Sequence, residues 1–286
     1  MKLFFSTGGY KGEYFLQSAR RLLSVGISQI ELSAGLHGEN CHFDVLQLSK
    51  ECEVMLHNYF PPPIKEFTFN LASADLAIRN KSLELAKEAL LLSQSVGAKF
   101  YGVHGGFCFD PDPQDLGGTF KDIRLIPKRD AIDLFSESLY ELSEFSSKLG
   151  VRLLVENNVL SRQNLDSLGR DCMLLTEPND ITALVARKEL GVGLLLDTGH
   201  LKVTCTSLGT SMEQSIVELN PLTEGYHLSD NSGYSDEHKG FDASVWFMKY
   251  LDLGKAFATL EVKGEGPRKV KKLISDMYEW LGMTSE

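Results

Sequence analysis

What most constrains this chain is a recurrence, in which short β-type runs alternate with longer helix-patterned segments from one end to the other. Eight such runs occur, at residues 2–7, 29–33, 54–59, 100–104, 152–156, 193–200, 225–230 and 257–263. Their spacing is too wide for hairpins. The intervening stretches NKSLELAKEALLLSQSVGA, RDAIDLFSESLYELSEFSSKLG and DITALVARKELG carry helical periodicity, and each reaches a glycine, the residue that ends helices most readily. RLLVE and VGLLLD are almost continuously apolar, as expected of parallel strands covered by helices on both faces. With 286 residues and 43% hydrophobic content, the chain has enough material for one closed barrel. The expected fold is α/β, a single (β/α)8 TIM barrel spanning 1–286, with a doubly wound open sheet as the competing topology.

The polar residues favour the barrel. Glu31, His57, His104, Glu156, Asp197 with His200, His227 with Asp230, and Glu261 fall at or beside the places where the apolar runs stop, and only the first run lacks such a residue. In a (β/α)8 barrel every strand ends at the same rim, so these side chains converge on one pocket, whereas an open sheet spreads them along a line. The segment 107–129, rich in Pro, Asp and Gly, is the longest irregular stretch and reads as a substrate lid.

Composition excludes several classes. A net charge of −10 offers no overall attraction to nucleic acid or an anionic membrane. Five cysteines with no CxxC spacing argue against a disulfide framework and a thiolate zinc site, leaving buried or free thiols. No stretch supplies the roughly 18 apolar residues of a membrane span, and the run in MKLFFSTGGYKGEYF is too short for a signal core, so a soluble cytoplasmic protein is expected. GxGxxG after a strand, GxxxxGK[ST] and GxSxG are absent, and the basic cluster RKVKK reads as a solvated helix face.

A mixed carboxylate and imidazole set remains. Glu156 closes RLLVE with Asn157 and Asn158 beside it, amides able to orient a ligand. Asp197 and His200 lie in LLLDTGH, where Gly199 permits a sharp turn, although a helix N-cap Asp is the plainer reading. His227 and Asp230 in GYHLSD and Asp236 with His238 in SDEH add further donors, while Glu261 lies within the apolar FATLEVK. A dry, isolated carboxylate there would cost several kcal/mol, so a cation partner is expected, with Lys263 as the non-functional choice. His57 and His104 end corresponding runs, and Gly105 with Gly106 allows close approach of backbone or ligand. His37 and His42 look incidental. Nitrogen and oxygen donors without thiolate suit Mn2+, Co2+, Zn2+ or Fe2+.

The ordered motifs VHGG, VEN, DTGH, HLSDN, DxH and LEV resemble the xylose isomerase-like barrel superfamily over nearly the whole chain. That resemblance, to its sugar and sugar-phosphate isomerase and epimerase branch, implies metal ligands Glu156, Asp197, His227 and Glu261. It also implies Glu156 and Glu261 as the proton-transfer pair, and His200 as a substrate contact, with His57 and His104 on the substrate side. The implied substrate is a small sugar or keto-sugar. A second resemblance, to endonuclease IV, implies additional metal ligands at His57, His104, His200, Asp236 and His238, and phosphodiester hydrolysis at abasic DNA sites. Glu31 in IELS, and Lys239-Gly240-Phe241 where a GEG-like turn usually follows DxH, favour the isomerase branch. A related dehydratase, and a barrel that only binds a ligand, are the remaining alternatives.

Overall fold

The computed structural model describes residues 1–10, 12–33, 35–120 and 123–282. Eight parallel strands close on themselves in sequence order: β1 (Lys2–Ser6), β2 (Gln29–Ser33), β3 (Glu53–His57), β4 (Phe100–His104), β5 (Arg152–Glu156), β6 (Gly193–Asp197), β7 (Thr223–Leu228) and β8 (Phe257–Leu260). The expected (β/α)8 barrel is therefore the observed fold. Around it lie α1 (Phe15–Leu23), α2 (Cys41–Leu48), α3 (Leu76–Val96), α4 (Lys128–Leu149), α5 (Arg162–Leu168), α6 (Pro178–Val185), α7 (Thr198–Leu208), α8 (Met212–Leu219) and α9 (Pro267–Trp280). Gly97 and Gly150 close α3 and α4 at φ 78° and 67°, a left-handed geometry that costs glycine little. The third periodic segment behaves differently: α6 ends at Val185, and Gly191 instead follows a 3-10 turn at Lys188–Leu190.

Several strands stop earlier than their apolar runs. The run 193–200 leaves the sheet at Asp197, whose side chain caps α7, so His200 sits in the helix's first turn. The run 257–263 leaves it at Leu260, placing Glu261 just beyond β8. Between β7 and β8, among the described residues, only a 3-10 turn at Met248–Tyr250 replaces the usual helix, and the long connection brings Asp236 and His238 to the rim.

Register brings the polar ends to one level. His57 lies opposite Ser33 and Gly102, His104 opposite Glu156, and Asp197 opposite His227. Strand alternation places the residue two positions earlier on the same inward face. Those residues are apolar: Met55, Leu154 and Leu195 join Phe4 and Phe257 in a buried plug inside the barrel. The polar layer therefore rests on a dry floor, while the larger core fills the space between strands and helices. All five cysteines are free and buried, and the RKVKK side chains other than Val270 are exposed on α9. No helix among the described residues is long and apolar enough to cross a membrane.

The expected lid is anchored at its base. Phe107, Phe109 and Phe120 pack edge to face, Phe107 pairs with Met173, and Asn70 donates to the Phe109 carbonyl at 2.9 Å and to Asp110 at 2.9 Å. Lys121 and Asp122 of that segment lie outside the described residues.

Candidate metal centre

Three groups of donors meet at the rim, with Glu156 at their junction. Its side chain is fully buried at the end of β5. On one side, His57 Nε2 and His104 Nε2 stand 3.1 and 3.0 Å from Glu156 Oε2 and 3.2 Å from each other. Donors about 2.1 Å from a shared ion lie roughly 3.0–3.4 Å apart, so this triangle has the dimensions of one coordination face. Neither imidazole is aligned to hydrogen-bond Oε2, which has no such partner. His57 reaches this position because β4 offers Gly102: a Cβ there would sit 2.8 Å from His57 Nδ1.

On the other side, ligand atoms of Glu156, Asp197, His227 and Glu261 all lie within 4.8 Å of one another. His227 Nδ1 is 3.2 Å from Glu156 Oε1 and 3.6 Å from Glu261 Oε2. Asp197 uses only Oδ1 to accept the His200 amide at 2.6 Å, leaving Oδ2 buried without a hydrogen-bond partner. The capping and ligand readings of Asp197 are therefore compatible, one oxygen serving each.

The third group is His200, Asp236 and His238. His200 faces the Asn157 carbonyl through Nδ1 at 2.8 Å; a carbonyl only accepts, so Nδ1 carries the proton and Nε2 points to Asp236 at 3.6 Å. His238 likewise donates from Nδ1 to the Glu261 carbonyl at 3.2 Å and places Nε2 in close contact with Asp236. The chain from Asp230 to Lys239 forms a small loop closed by two backbone hydrogen bonds of 3.0 and 2.7 Å. Asp230 pairs with Lys202 on α7 at 2.7 Å, and Asn231 donates to the Gly199 carbonyl at 2.9 Å. Asp236 and His238 thus reach the cluster despite the absent GEG-like turn.

Several sequence expectations change in detail. Asn157 and Asn158 do not touch the Glu156 carboxylate: Asn157 pairs with the backbone of Asp197, at 2.7 and 3.0 Å, and Asn158 donates to the Gly105 carbonyl at 2.9 Å. They lock strand ends together and so hold Glu156 indirectly. Gly199 is required by close packing, because a Cβ would meet Ser229 Oγ at 2.5 Å. Gly105 and Gly106 admit neighbouring protein atoms, the Leu174 carbonyl oxygen and Ala72 Cβ. Glu261 faces His227 and also His238, whose Nδ1 is 3.8 Å from its carboxylate. His37 and His42 bond elsewhere, to the Pro62 carbonyl and to Glu88.

From sequence, Glu31 is a rim residue and a mark of the isomerase branch, without a ligand, catalytic or substrate role. It is buried, its Oε2 lies 3.1 Å from His227 Nε2, and the Thr259 hydroxyl donates to the same oxygen at 3.0 Å. The available signal was an acid between Ile30 and Leu32, two residues buried on the opposite face of the strand.

Electrostatics tie the groups together. Burial alone would favour neutral rings, but Asp197, Asp236 and Glu156 outweigh it at His200, and Glu31, Glu261 and Glu156 do so at His227; both are held well above the usual imidazole range. Glu156, despite burial, lies well below the carboxylate range because His104, His227 and His57 surround it. Burial pushes Asp197 up to about 6, with His200 opposing and the neighbouring carboxylates reinforcing the rise. Imidazolium protons thus compensate a dense set of carboxylates.

The donor set of this environment fits a divalent ion. Of the eleven buried side-chain polar atoms without a hydrogen-bond partner among the described residues, five are Glu31 Oε1, His57 Nδ1, Glu156 Oε2, Asp197 Oδ2 and Asp236 Oδ1. Such atoms are costly to leave unmatched, and of these five residues Glu31, His57, Glu156 and Asp197 belong to groups able to hold a metal ion.

Fold and site together define a barrel with a carboxylate and histidine rim suited to divalent metal. The chain belongs to the xylose isomerase-like TIM barrel family, whose profile matches residues 29–272. Among solved structures it resembles a D-tagatose 3-epimerase-like protein, with a TM-score of 0.72 at 19% identity, covering 99% of this chain and 97% of that one. A Thermus thermophilus protein soaked with ZnCl2 gives 0.64 at 18%, with full coverage of both chains. The apo 3-keto-D-glucoside 4-epimerase of E. coli gives 0.66 at 13%, covering 98% and 99%. At these identities the likeness is one of fold. No curated protein sequence matches the chain significantly.

Proposed function

We propose that the protein is a divalent-metal-dependent isomerase or epimerase that moves a proton on a small sugar or keto-sugar through an enediolate. The observation that carries this reading is the convergence of Glu156, Asp197, His227 and Glu261 on one buried point. When bound there, Mn2+, Co2+, Zn2+ or Fe2+ would supply Lewis-acid polarisation of a substrate oxygen. Glu156 and Glu261 form the proton-transfer pair. Glu261 is the one that reaches solvent, at 13% side-chain exposure against 0% for Glu156. His104 is also accessible, at 34%, and His200 offers Nε2, its Nδ1 proton being held by the Asn157 carbonyl. These imidazoles, with His57 behind them, would hold substrate oxygens and stabilise the enediolate. The sugar epimerases among the structural neighbours support this substrate class.

A second reading has its own observation. The His57, His104 and Glu156 triangle offers a second donor group, and His200, Asp236 and His238 lie close beside it, so on this reading further ions would serve phosphodiester hydrolysis at abasic DNA sites. Elemental analysis of chelator-free protein, paired with two assays, separates the readings. One ion per chain, with solvent deuterium entering a ketohexose or keto-sugar, supports the isomerase. Two or three ions that are lost in His57→Ala and His104→Ala, with incision of an abasic-site duplex, support the hydrolase. Metal-free protein inactive in both assays after loading with each candidate ion overturns both.

A further inference from the structure

Glu31 lies outside the quartet of ligands, yet it touches the quartet's one histidine, whose two ring nitrogens both face carboxylates. His200 and His238 have their Nδ1 protons assigned by carbonyl oxygens. His227 has carboxylates on both sides: Glu156 Oε1 and Glu261 Oε2 near Nδ1, and Glu31 Oε2 at 3.1 Å from Nε2.

We propose that Glu31 is a positioning residue, which accepts the Nε2 proton of His227 and thereby fixes the tautomer that presents the Nδ1 lone pair between Glu156 and Glu261. The inference rests on the reading that this quartet binds a divalent ion. Three observations converge on it. Thr259 Oγ1 donates to Oε2 at 3.0 Å, so the accepting oxygen is itself held in place. Thr259 lies opposite His227 in the β7–β8 register, so ring and anchor sit on adjacent strands. His227 and Thr259 are fully buried and Glu31 is 2% exposed, so water cannot take over as acceptor without entering the barrel. A ligating histidine that loses such a partner typically costs 10–100-fold in metal affinity.

The test uses the wild-type protein first. Zinc is added, and long-range 1H–15N correlation spectra report each nitrogen of His227, assigned through His227→Gln. A zinc-bound Nδ1 with a protonated Nε2 supports the proposal, and a zinc-bound Nε2 or a protonated Nδ1 overturns it. Binding of zinc with His227 unaffected overturns the reading of the quartet instead, which keeps the two failures distinct. Zinc affinity is then measured by competition with a chromophoric chelator. Glu31→Leu removes the acceptor and is expected to weaken binding 10–100-fold, whereas Glu31→Gln keeps a carbonyl oxygen and restores most of the affinity. Wild-type affinity in Glu31→Leu, with only its melting temperature changed, overturns the proposal. Should Glu31→Leu fail to fold, Thr259→Val, which removes the anchor of the accepting oxygen, is expected to weaken binding by a smaller factor, and an unchanged affinity in it counts against the proposal.

Discussion

Gly102→Ala tests the site where a strand backbone packs directly against a candidate ligand ring. A Cβ built on Gly102 stands 2.8 Å from His57 Nδ1, 3.3 Å from His57 Cε1 and 2.8 Å from Leu195 Cδ2. Leu195 can change rotamer, but the imidazole is a rigid ring held among Glu156, His104 and His227. To restore ordinary contact it must retreat by about 0.6 Å, from 2.8 to 3.4 Å. Overpacking of this kind costs roughly 1–3 kcal/mol, and at about 2–4 °C per kcal/mol the metal-free protein should melt roughly 2–12 °C lower. The same shift exceeds the ±0.2 Å tolerance of metal–ligand distances, so the His57, His104 and Glu156 triangle should lose any ion it holds. The quartet around His227 should keep its own. Metal content per chain and thermal melts in chelator check both parts. A Gly102→Ala protein with unchanged melting temperature and unchanged metal content refutes the argument, because the Cβ would then fit without moving the ring.

Other perturbations follow the same logic. Glu261→Gln should abolish deuterium exchange into the sugar while metal occupancy falls only partly, and full exchange in that variant would remove Glu261 from the proton-transfer pair. Gly199→Ala places a Cβ 2.5 Å from Ser229 Oγ and 3.2 Å from Asp197 Oδ1, so a loss of about 1–3 kcal/mol in a denaturant titration is expected, together with weaker metal binding. In the metal-free protein the raised pKa values of His200 and His227 contribute stability that is complete below about pH 6.5 and is lost as pH rises through their elevated values. Glu156, Asp236 and Glu261 are lowered and stay ionised across that window, so they do not cancel the trend. Melting temperature in chelator should therefore fall from about pH 6.5 upward, whereas metal loading, which displaces those protons, should become more stabilising over the same range. A flat or rising metal-free profile contradicts the assignment.

The barrel was legible because strands and helices alternate with different periods, and because inward polar residues interrupt apolar runs only near their ends. The same pattern placed Glu156, Asp197, His227 and Glu261 near the ends of runs, but it did not single them out from His57, His104 or Asp230; naming the four as ligands took the family resemblance. What sequence pattern could not supply was direction. Asn157 and Asn158 look like partners of Glu156, yet their amides turn to backbone groups of neighbouring strands that have no sequence proximity. Gly199 looks like a turn residue, yet its requirement comes from Ser229, which follows the next strand, β7. Glu31 was visible as an acid in a strand, but its partner His227 lies across 196 residues and only barrel closure brings them together.

Glu156 links the competing chemistries, because its two oxygens face different partners. Oε1 looks toward His227 and Oε2 toward His57 and His104. A carboxylate that accepts a substrate proton needs one oxygen open to the substrate, and Glu156 is fully buried with imidazoles on both sides. If the His57 and His104 triangle stays free of metal, Oε2 can exchange a proton with a substrate that enters past the partly exposed His104, and Glu156 serves as base opposite Glu261. If the triangle holds an ion, both oxygens of Glu156 would be engaged as ligands, and neither would be left to take a substrate proton. The number of ions per chain and the role of Glu156 are therefore one question. Activity measured against stepwise metal loading answers it: exchange that peaks at one ion and declines as a second binds identifies Glu156 as a base, while activity that appears only with the second ion identifies it as a ligand alone.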